Sequence, residues 1–174
     1  MKTFLCPKKC CKIVIKPYEL KENVSFKEKN YKTGVFIYDR KKDKILLVQS
    51  RGNLWGHPKG SLKYNENIIN GALREVKEET NLNIQKFELS KKILIKNEAT
   101  YFYLEKHECD VNFDNKVYDN DVNGITWIKT DCLYDCINKG NITLNKHFIL
   151  TFNKFMRKNI PKYLQFLPIP QRGS

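Results

Sequence analysis

The feature that most constrains the fold is the segment from residue 55 to 82, which reads WGHPKGSLKYNENIINGALREVKEETNL. A glycine turn leads into a stretch whose apolar residues recur at helical spacing. This periodicity predicts an amphipathic helix over residues 66–80. The apolar stripe consists of Ile68, Ile69, Ala72, Leu73 and Val76. Asn81 follows the last turn, and it can adopt the left-handed conformation that ends helices.

One face of this predicted helix is acidic. Glu75, Glu78 and Glu79 lie at i, i+3 and i+4, so their side chains share a face beside the apolar stripe. Like charges at this spacing repel by a few tenths of a kcal/mol, roughly, even when they are exposed. A solvated acidic surface is one interpretation. The other is a site for Mg²⁺ or Mn²⁺, which bind through a few carboxylates and bridge to substrate phosphates.

The remainder of the chain alternates between strand and helix patterns. Runs of β-branched and aromatic residues predict strands over 12–16, 33–38, 44–50, 93–95, 101–104 and 122–129. Helical spacing predicts two further helices, over 131–137 and 145–159, and Pro161 ends the second. Charged or Asn-rich stretches predict loops over 19–30 and 109–121.

The charge of the chain is strongly positive, at +13 from 32 basic and 19 acidic residues. This excess favours polyanionic partners, namely nucleic acid, nucleotides, inositol polyphosphates or an anionic membrane surface. A merely soluble basic protein is the alternative. The chain lacks an apolar run of the ~20 residues that a membrane span needs, and residues 1–7 lack the apolar stretch of a signal peptide. We therefore expect a cytoplasmic protein that is not inserted in a membrane.

The six cysteines are expected to be free thiols in that reducing compartment. The spacing of Cys6 and Cys10 is also compatible with two zinc ligands. A closed structural zinc site needs four ligands. The partners would have to come from His107, Cys109, Cys132 or Cys136. Both interpretations stay open at the level of the sequence.

The central segment resembles the Nudix box. The matching pattern is Gly60, five residues, Glu66, seven residues, Arg74-Glu75-Val76, one residue, Glu78-Glu79, one residue, Asn81-Leu82. Each charged position is filled at the required spacing. Asn81 departs from the family's usual glycine, but Asn tolerates the left-handed conformation. The strands on either side extend the resemblance to residues 33–160.

The resemblance implies the α/β class, with an α/β/α sandwich around a mixed β-sheet. It also implies hydrolysis of a nucleoside diphosphate linked to another group, with Mg²⁺ or Mn²⁺ as cofactor. The residues that it assigns to the metals are Glu75, Glu78, Glu79 and the backbone carbonyl of Gly60. Arg74 would orient Glu75 through a charge-assisted hydrogen bond, and Glu66 would be structural. The Nudix domain is then expected over residues 31–160, after a short cysteine-containing extension over 1–30 and before an extended tail over 161–174.

Within the family, the chain is most similar to the mRNA-decapping branch, which includes stand-alone enzymes of large DNA viruses. In that branch the Pro-Lys-Gly turn places a cation near the phosphates, so we expect Lys59 to contact phosphate. His57 stands where an aromatic residue is more usual, and packing is a better expectation for it than catalysis. Asp121 matches a late acid that acts as general base or metal ligand, although the family has Glu there.

RNA is expected to bind along the helix over 145–158, which resembles the basic helix that follows the decapping core. The basic residues assigned to substrate binding there are Lys146, Lys154, Arg157 and Lys158. Possible stacking faces for a cap base are Trp55, Tyr101, Phe102 and Tyr103, which are more often core residues. The resulting hypothesis is hydrolysis of capped RNA to 7-methyl-GDP and 5′-monophosphate RNA. Alternatives are a hydrolase of diadenosine polyphosphates or diphosphoinositol polyphosphates, and a non-catalytic RNA-binding module. The sequence does not indicate an oligomeric state.

Overall fold

The structure is a computed structural model that describes residues 1–17, 30–50, 53–112 and 121–156. Within these ranges there are ten strands, three α-helices and one short 3₁₀ helix at Lys86–Glu88. The strands are β1 Lys2–Leu5, β2 Lys12–Ile15, β3 Lys32–Asp39, β4 Lys44–Ser50, β5 Leu54–Gly56, β6 Lys59–Ser61, β7 Lys91–Ile95, β8 Ala99–Glu105, β9 Val122–Lys129 and β10 Thr143–Leu144. The α-helices are α1 Ile68–Thr80, α2 Thr130–Asn138 and α3 Lys146–Phe155.

These strands form one mixed sheet with the order β1-β2-β9-β4-β3-β8-β7. β3 pairs in parallel with β8 and antiparallel with β4, and β4 pairs antiparallel with β9. β6 pairs with β3, while β5 joins β4 to the short strand β10. The six strands expected from the sequence are all present, and so is the predicted short helix that is now α2.

Helices cover both faces of the sheet. Successive side chains of a strand point to opposite faces. Phe36 and Tyr38 of β3 belong to the hydrophobic cluster that includes residues of α2 and α3. Val35 and Ile37 belong to the other cluster, which contains Ala72 and Val76 of α1. The predicted α/β/α sandwich around a mixed sheet is therefore confirmed.

The helix that carries the acidic face begins two residues later than predicted. Asn67 is its N-cap, and the Asn67 side chain accepts a hydrogen bond of 2.9 Å from the backbone N–H of Ile69. Asparagine is among the strongest N-cap residues, so it fixes the start of the helix. Glu66 consequently lies outside the helix. Asn81 ends the helix with a φ of 60°, as predicted for its left-handed cap.

The cysteine-containing N-terminus is part of the sheet. β1 and β2 form an antiparallel hairpin, and β2 pairs with β9, so that Val14 lies opposite Ile125. The predicted domain limits at 31 and 160 stay predictions, because residues 18–29 and 157–174 lie outside the described ranges. Most of the predicted loops over 19–30 and 109–121 lies outside them too, and so does the whole of the tail. None of the described helices is long and apolar enough to cross a membrane.

Candidate active site

The loop before α1 packs directly on the acidic face of that helix. β6 holds Gly60 opposite Thr33 of β3. A methyl group at Gly60 would overlap the carboxylate of Glu75. Only glycine allows this approach, so the backbone of the turn and the Glu75 carboxylate meet without an intervening side chain.

Arg74 connects the glutamates around the start of α1. Its Nε and Nη2 donate to the two carboxylate oxygens of Glu66, at 2.7 and 2.8 Å. Its Nη1 donates to Glu75 at 2.7 Å and to Glu78 at 2.9 Å. Nη2 also donates to the carbonyl of Ser61 at 3.0 Å. The predicted hydrogen bond from Arg74 to Glu75 is present, and Glu66 is paired with Arg74 through a bidentate contact.

The pairing of Glu66 with Arg74 shifts the pKa of both side chains. The hydrogen bonds from Arg74 lower the pKa of Glu66 to about 2. The same contact raises the pKa of the Arg74 guanidinium above its usual value. Both groups therefore stay charged at neutral pH, and Glu66 fixes the position from which Arg74 reaches Glu75 and Glu78.

Glu75 and Glu79 are buried carboxyl groups, with only 8% and 6% of their surface exposed. Burial raises the pKa of Glu75, and Arg74 opposes this rise. Burial raises the pKa of Glu79 well above its usual value, and the charge of Glu75 adds to the effect. The backbone N–H of Lys59 donates to Glu79 at 2.8 Å. The charge of Asp121 also acts on Glu79, so the structure brings this predicted residue near the site.

A cavity of about 170 Å³ lies next to Lys59, whose backbone N–H donates to Glu79. It is lined by Lys32, Lys59, Asn145, Lys146 and His147. Lys59 connects the two regions, because its backbone N–H donates to Glu79 and the residue also lines the cavity. Three lysines around one space favour a phosphate-bearing ligand. Lys32 and His147 were not predicted to line a site, and only the pairing of β3 with β6 places Lys32 beside Ser61.

The cavity wall is fixed by the start of α3. The backbone N–H of Asn145 donates to the carbonyl of Trp55 at 2.9 Å. The side chain of Asn145 caps α3 by accepting from Phe148 at 2.8 Å. A methyl group at Gly56 would overlap the Asn145 side chain. The segment that leads into the carboxylate site therefore also anchors the helix that carries Lys146.

His147 is held on two sides within this wall. Its Nδ1 lies 2.5 Å from the hydroxyl of Tyr101, and its Nε2 lies 3.2 Å from Glu98. Burial lowers the pKa of the His147 imidazole. These contacts fix the orientation of the ring, so it forms a rigid edge of the cavity.

Other predicted site residues are not brought to the cavity. Lys154 is exposed on α3 and is not among the residues that line it. Arg157 and Lys158 lie outside the described residues. His57 is fully buried and packs edge-on against Tyr101 at 4.4 Å, which agrees with the expectation of packing. Burial lowers the pKa of His57 well below its usual value, so the ring is neutral.

The stacking faces considered for a cap base are core residues instead. The exposed fraction is 8% or less for Trp55, Tyr101, Phe102 and Tyr103. The reason is their position on β5 and β8, which are inner parts of the sheet covered by the helices. These side chains do not present a ring face to a ligand.

The glutamates fit a divalent cation by their chemistry. Carboxylate oxygens are the ligands that Mg²⁺ and Mn²⁺ prefer. Glu75 and Glu79 are buried, and the charge of Glu75 disfavours ionisation of Glu79. A cation beside them would stabilise both ionised forms, so Glu75, Glu78, Glu79 and the Gly60 carbonyl stay the predicted ligand set.

Comparison with known proteins identifies the family to which this site belongs. Residues 29–141 match the NUDIX domain. The chain belongs to the Nudix family. The resemblance found in the central segment is thereby confirmed, and the match includes the Arg74 cluster and the strands around it.

Nudix relatives include a viral protein and several hydrolases. The chain is 31% identical over 141 residues to the "Putative hydrolase 111R" of Invertebrate iridescent virus 3, covering 78% of this chain and 82% of the relative. It is 30% identical over 135 residues to the "m7GpppN-mRNA hydrolase dcap-2" of Caenorhabditis elegans, covering 71% of this chain but 17% of that protein. It is 24% identical to "Nudix hydrolase 5" of Arabidopsis thaliana, covering 77% of this chain and 47% of that one.

Solved structures share the Nudix fold. The bifunctional NMN adenylyltransferase/ADP ribose pyrophosphatase of Francisella tularensis, complexed with AMP and a Mn ion, has a TM-score of 0.56 at 18% identity, covering 76% of this chain and 43% of that chain. The NUDIX domain of Shewanella oneidensis NrtR, complexed with ADP ribose, has a TM-score of 0.55 at 16% identity, covering 78% of this chain and 91% of that chain. The chain spans less than half the length of the nematode, Arabidopsis and Francisella proteins.

The family and the site together make the chain a Nudix pyrophosphohydrolase. Nudix hydrolases generally use divalent metals, and the glutamates of α1 supply suitable ligands. The complete set of charged residues in the box does not favour the non-catalytic RNA-binding module that the sequence left open. The fold similarities at this level of identity do not indicate a substrate.

Proposed function

We propose that this Nudix hydrolase cleaves a pyrophosphate bond in capped RNA and releases 7-methyl-GDP and 5′-monophosphate RNA. The observation that carries the proposal is the position of Lys59. Its backbone N–H donates to Glu79, and the residue lines a cavity together with Lys32 and Lys146. A chain of phosphates lying in that cavity would therefore pass directly beside the carboxylates.

The lysines are proposed to bind the phosphates of the cap. Lysine is a point charge that tolerates several phosphate orientations, which suits a triphosphate bridge better than one fixed planar group. Lys32 is held by a 2.5 Å hydrogen bond to Ser61, next to Gly60. Its ammonium group is thus positioned before the substrate arrives, which reduces the entropy lost on binding.

The carboxylates are proposed to hold Mg²⁺ or Mn²⁺. Glu75, Glu78 and Glu79 would be the side-chain ligands, with the Gly60 carbonyl beside them. A divalent cation bound there neutralises charge on phosphoryl oxygens and lowers the pKa of a bound water. Arg74 keeps Glu75 and Glu78 in place through its contacts at 2.7 and 2.9 Å.

The proton of the attacking water needs an acceptor within the site. The water oxygen forms a bond to phosphorus, the bridging P–O bond breaks, and the bridging oxygen leaves with the other fragment. Glu79 is the first candidate for the acceptor, because its buried carboxylate accepts from the backbone N–H of Lys59 beside the cavity. Asp121 is the second candidate, since its charge acts on Glu79.

RNA binding is supported by charge and by one relative. The net charge of +13 suits a surface that follows a phosphate backbone. The 30% identity to the nematode m7GpppN-mRNA hydrolase over 135 residues supports capped RNA as the substrate. Lys146 is placed at the cavity, and we expect Lys154, Arg157 and Lys158 to extend the contact along the RNA.

Other polyphosphates are the second candidate substrates, and the size of the cavity is compatible with them. At about 170 Å³ it is below the ~300 Å³ of typical small-molecule pockets and holds phosphate groups rather than a whole nucleotide. Diphosphoinositol polyphosphates or diadenosine polyphosphates would also place their phosphates there.

A substrate panel with product identification tests the proposal. Cap-labelled RNA, diadenosine tetraphosphate and a diphosphoinositol polyphosphate are each incubated with the protein and Mg²⁺ or Mn²⁺. The expected result is release of 7-methyl-GDP, with inhibition by uncapped RNA that weakens as salt is raised. Rapid turnover of a small substrate, with no 7-methyl-GDP from capped RNA, would refute the capped-RNA assignment.

A further inference from the structure

Four cysteine side chains converge at the N-terminal hairpin. Cys6, Cys10 and Cys11 lie between β1 and β2, and Cys132 lies in the first turn of α2. Their sulfur atoms all lie within 4.8 Å of one another. Across the described ranges, no other group of three or more His, Cys, Asp or Glu side chains is as tightly clustered. The hairpin and the helix thus present four soft ligands to one point.

The spacing of the sulfur atoms matches a tetrahedral metal site. Four thiolates about 2.3 Å from a central Zn²⁺ lie roughly 3.8 Å from each other. The sulfur of Cys10 lies 3.7 Å from that of Cys6, 3.7 Å from that of Cys11 and 3.3 Å from that of Cys132. All these cysteines are free thiols in the structure. The arrangement therefore fits four ligands of one metal ion better than a set of independent core residues.

Two backbone N–H groups donate to sulfur atoms of the cluster. The N–H of Cys11 donates to the sulfur of Cys6 at 3.3 Å, and the N–H of Lys129 donates to the sulfur of Cys11 at 3.3 Å. Hydrogen bonds to the charged form favour that form. The loop is closed by two backbone bonds, from Cys6 to Cys11 at 2.9 Å and from Lys9 to Cys6 at 2.8 Å. Lys9 adopts a positive φ of 56°, so the chain turns tightly around the sulfur atoms.

We infer that Cys6, Cys10, Cys11 and Cys132 bind one structural Zn²⁺ that fastens the N-terminal hairpin to α2. A four-cysteine set leaves no open position on the ion, which is typical of structural rather than catalytic zinc. Cys6, Cys11 and Cys132 pack in the hydrophobic core that contains α2 and α3, whereas α1 covers the opposite face of the sheet. The zinc site is therefore separate from the glutamates and does not depend on the proposed substrate.

The sequence had offered Cys132 but not Cys11 as a partner of Cys6 and Cys10. Of its other candidates, Cys109 packs against the opposite core and His107 lies beside Asp39. Cys136 is buried one turn after Cys132 but is not a member of the group of sulfur atoms. These positions provide matched controls, since the chain contains cysteines inside and outside the cluster.

Metal analysis of the full-length protein tests the inference. The protein is purified under reducing conditions from cells grown with added zinc, and its metal content is measured by inductively coupled plasma mass spectrometry. We expect one zinc per chain. Exchange with Co²⁺ should give the visible absorption of tetrahedral cobalt and a thiolate-to-metal charge-transfer band. Absence of zinc, together with no such spectrum on addition of Co²⁺, would overturn the site.

Substitutions assign the ligands. Cys10→Ser changes an exposed side chain, so it should leave the fold intact while the affinity for zinc falls by at least tenfold. Cys132→Ser should lose zinc as well. Cys109→Ser and Glu79→Gln should keep one zinc per chain, the latter because the two sites are separate. Loss of zinc in Cys136→Ser but not in Cys132→Ser would contradict the ligand set. Detection of a Cys10–Cys132 disulfide in the wild-type protein by mass spectrometry would overturn the proposal.

Discussion

The pairing of Glu66 with Arg74 leads to a quantitative prediction for Glu66→Gln. The substitution keeps the size of the side chain and removes its charge. Arg74 lowers the pKa of Glu66 from 4.5 to about 2. At about 1.4 kcal/mol per pKa unit, this shift sets an upper limit of roughly 3.5 kcal/mol on the contribution of the charge to the free energy of unfolding. The Glu66 side chain is 15% exposed, and solvent screening reduces the value, so we expect a loss of about 1–2 kcal/mol.

The pH dependence of this loss is also determined by the pKa of Glu66. Because the pKa is lower in the folded protein, the stabilisation is fully present above the unfolded value near 4.5 and is lost as the pH falls towards 2. The difference between the wild-type protein and Glu66→Gln should therefore be largest near neutral pH. By pH 3 it should have fallen to less than half, roughly, of its neutral value.

Urea unfolding followed by tryptophan fluorescence measures this difference, since Trp55 and Trp127 are both buried. Glu105→Gln is the matched control, because Glu105 forms an equally short 2.6 Å ion pair with Arg40 but both side chains are largely exposed. The control should lose less than about 0.5 kcal/mol. The reasoning would be refuted if Glu66→Gln lost no more free energy of unfolding than Glu105→Gln. It would also be refuted if the loss were the same at pH 7 and pH 3.

Three further predictions concern the site. Glu79→Gln should keep the melting temperature within a few degrees of wild type, and kcat should fall by about 10²–10⁴, measured with the preferred substrate of the panel; an unchanged kcat would exclude Glu79 as proton acceptor and metal ligand. Gly60→Ala should destabilise the fold by about 1–3 kcal/mol in thermal unfolding, because its methyl group overlaps the Glu75 carboxylate; an unaltered melting temperature would contradict this contact. Lys32→Gln should raise KM about tenfold, equivalent to 1.4 kcal/mol, whereas Lys92→Gln, on exposed β7, should leave it unchanged; equal effects would indicate a general charge effect instead of a phosphate contact.

Local patterns allowed much of the fold to be predicted. The apolar stripe of α1 and the strand runs depend on residues close in sequence, and the structure contains each of them. The left-handed cap at Asn81 followed from the conformational preference of one residue. The start of α1 was missed because the capping strength of Asn67 outweighs the helix propensity of Glu66. Arg74 and the glutamates that it contacts also lie within one short segment, so their spacing in the sequence was sufficient to predict the cluster.

Contacts between distant strands could not be predicted from local sequence patterns. Lys32 reaches the cavity only because β3 pairs with β6, and no local pattern distinguishes Lys32 from the other lysines of the chain. The convergence of Cys11 with Cys132 depends on the register of β2 against β9 and on the position of α2. The burial of Tyr101 follows from its place in an inner strand, which its residue type alone does not specify.

The bond from Asn145 to Trp55 makes one short segment the common support of two functional regions. Residues 55–60 hold the start of α3 at one end and the carboxylates of Glu75 and Glu79 at the other. The number of residues in this segment therefore sets the distance between the start of α3 and the carboxylates of Glu75 and Glu79. An insertion of a single residue here would shift Lys146 of α3, which is proposed to bind phosphate, relative to the carboxylates, while both helices stayed intact.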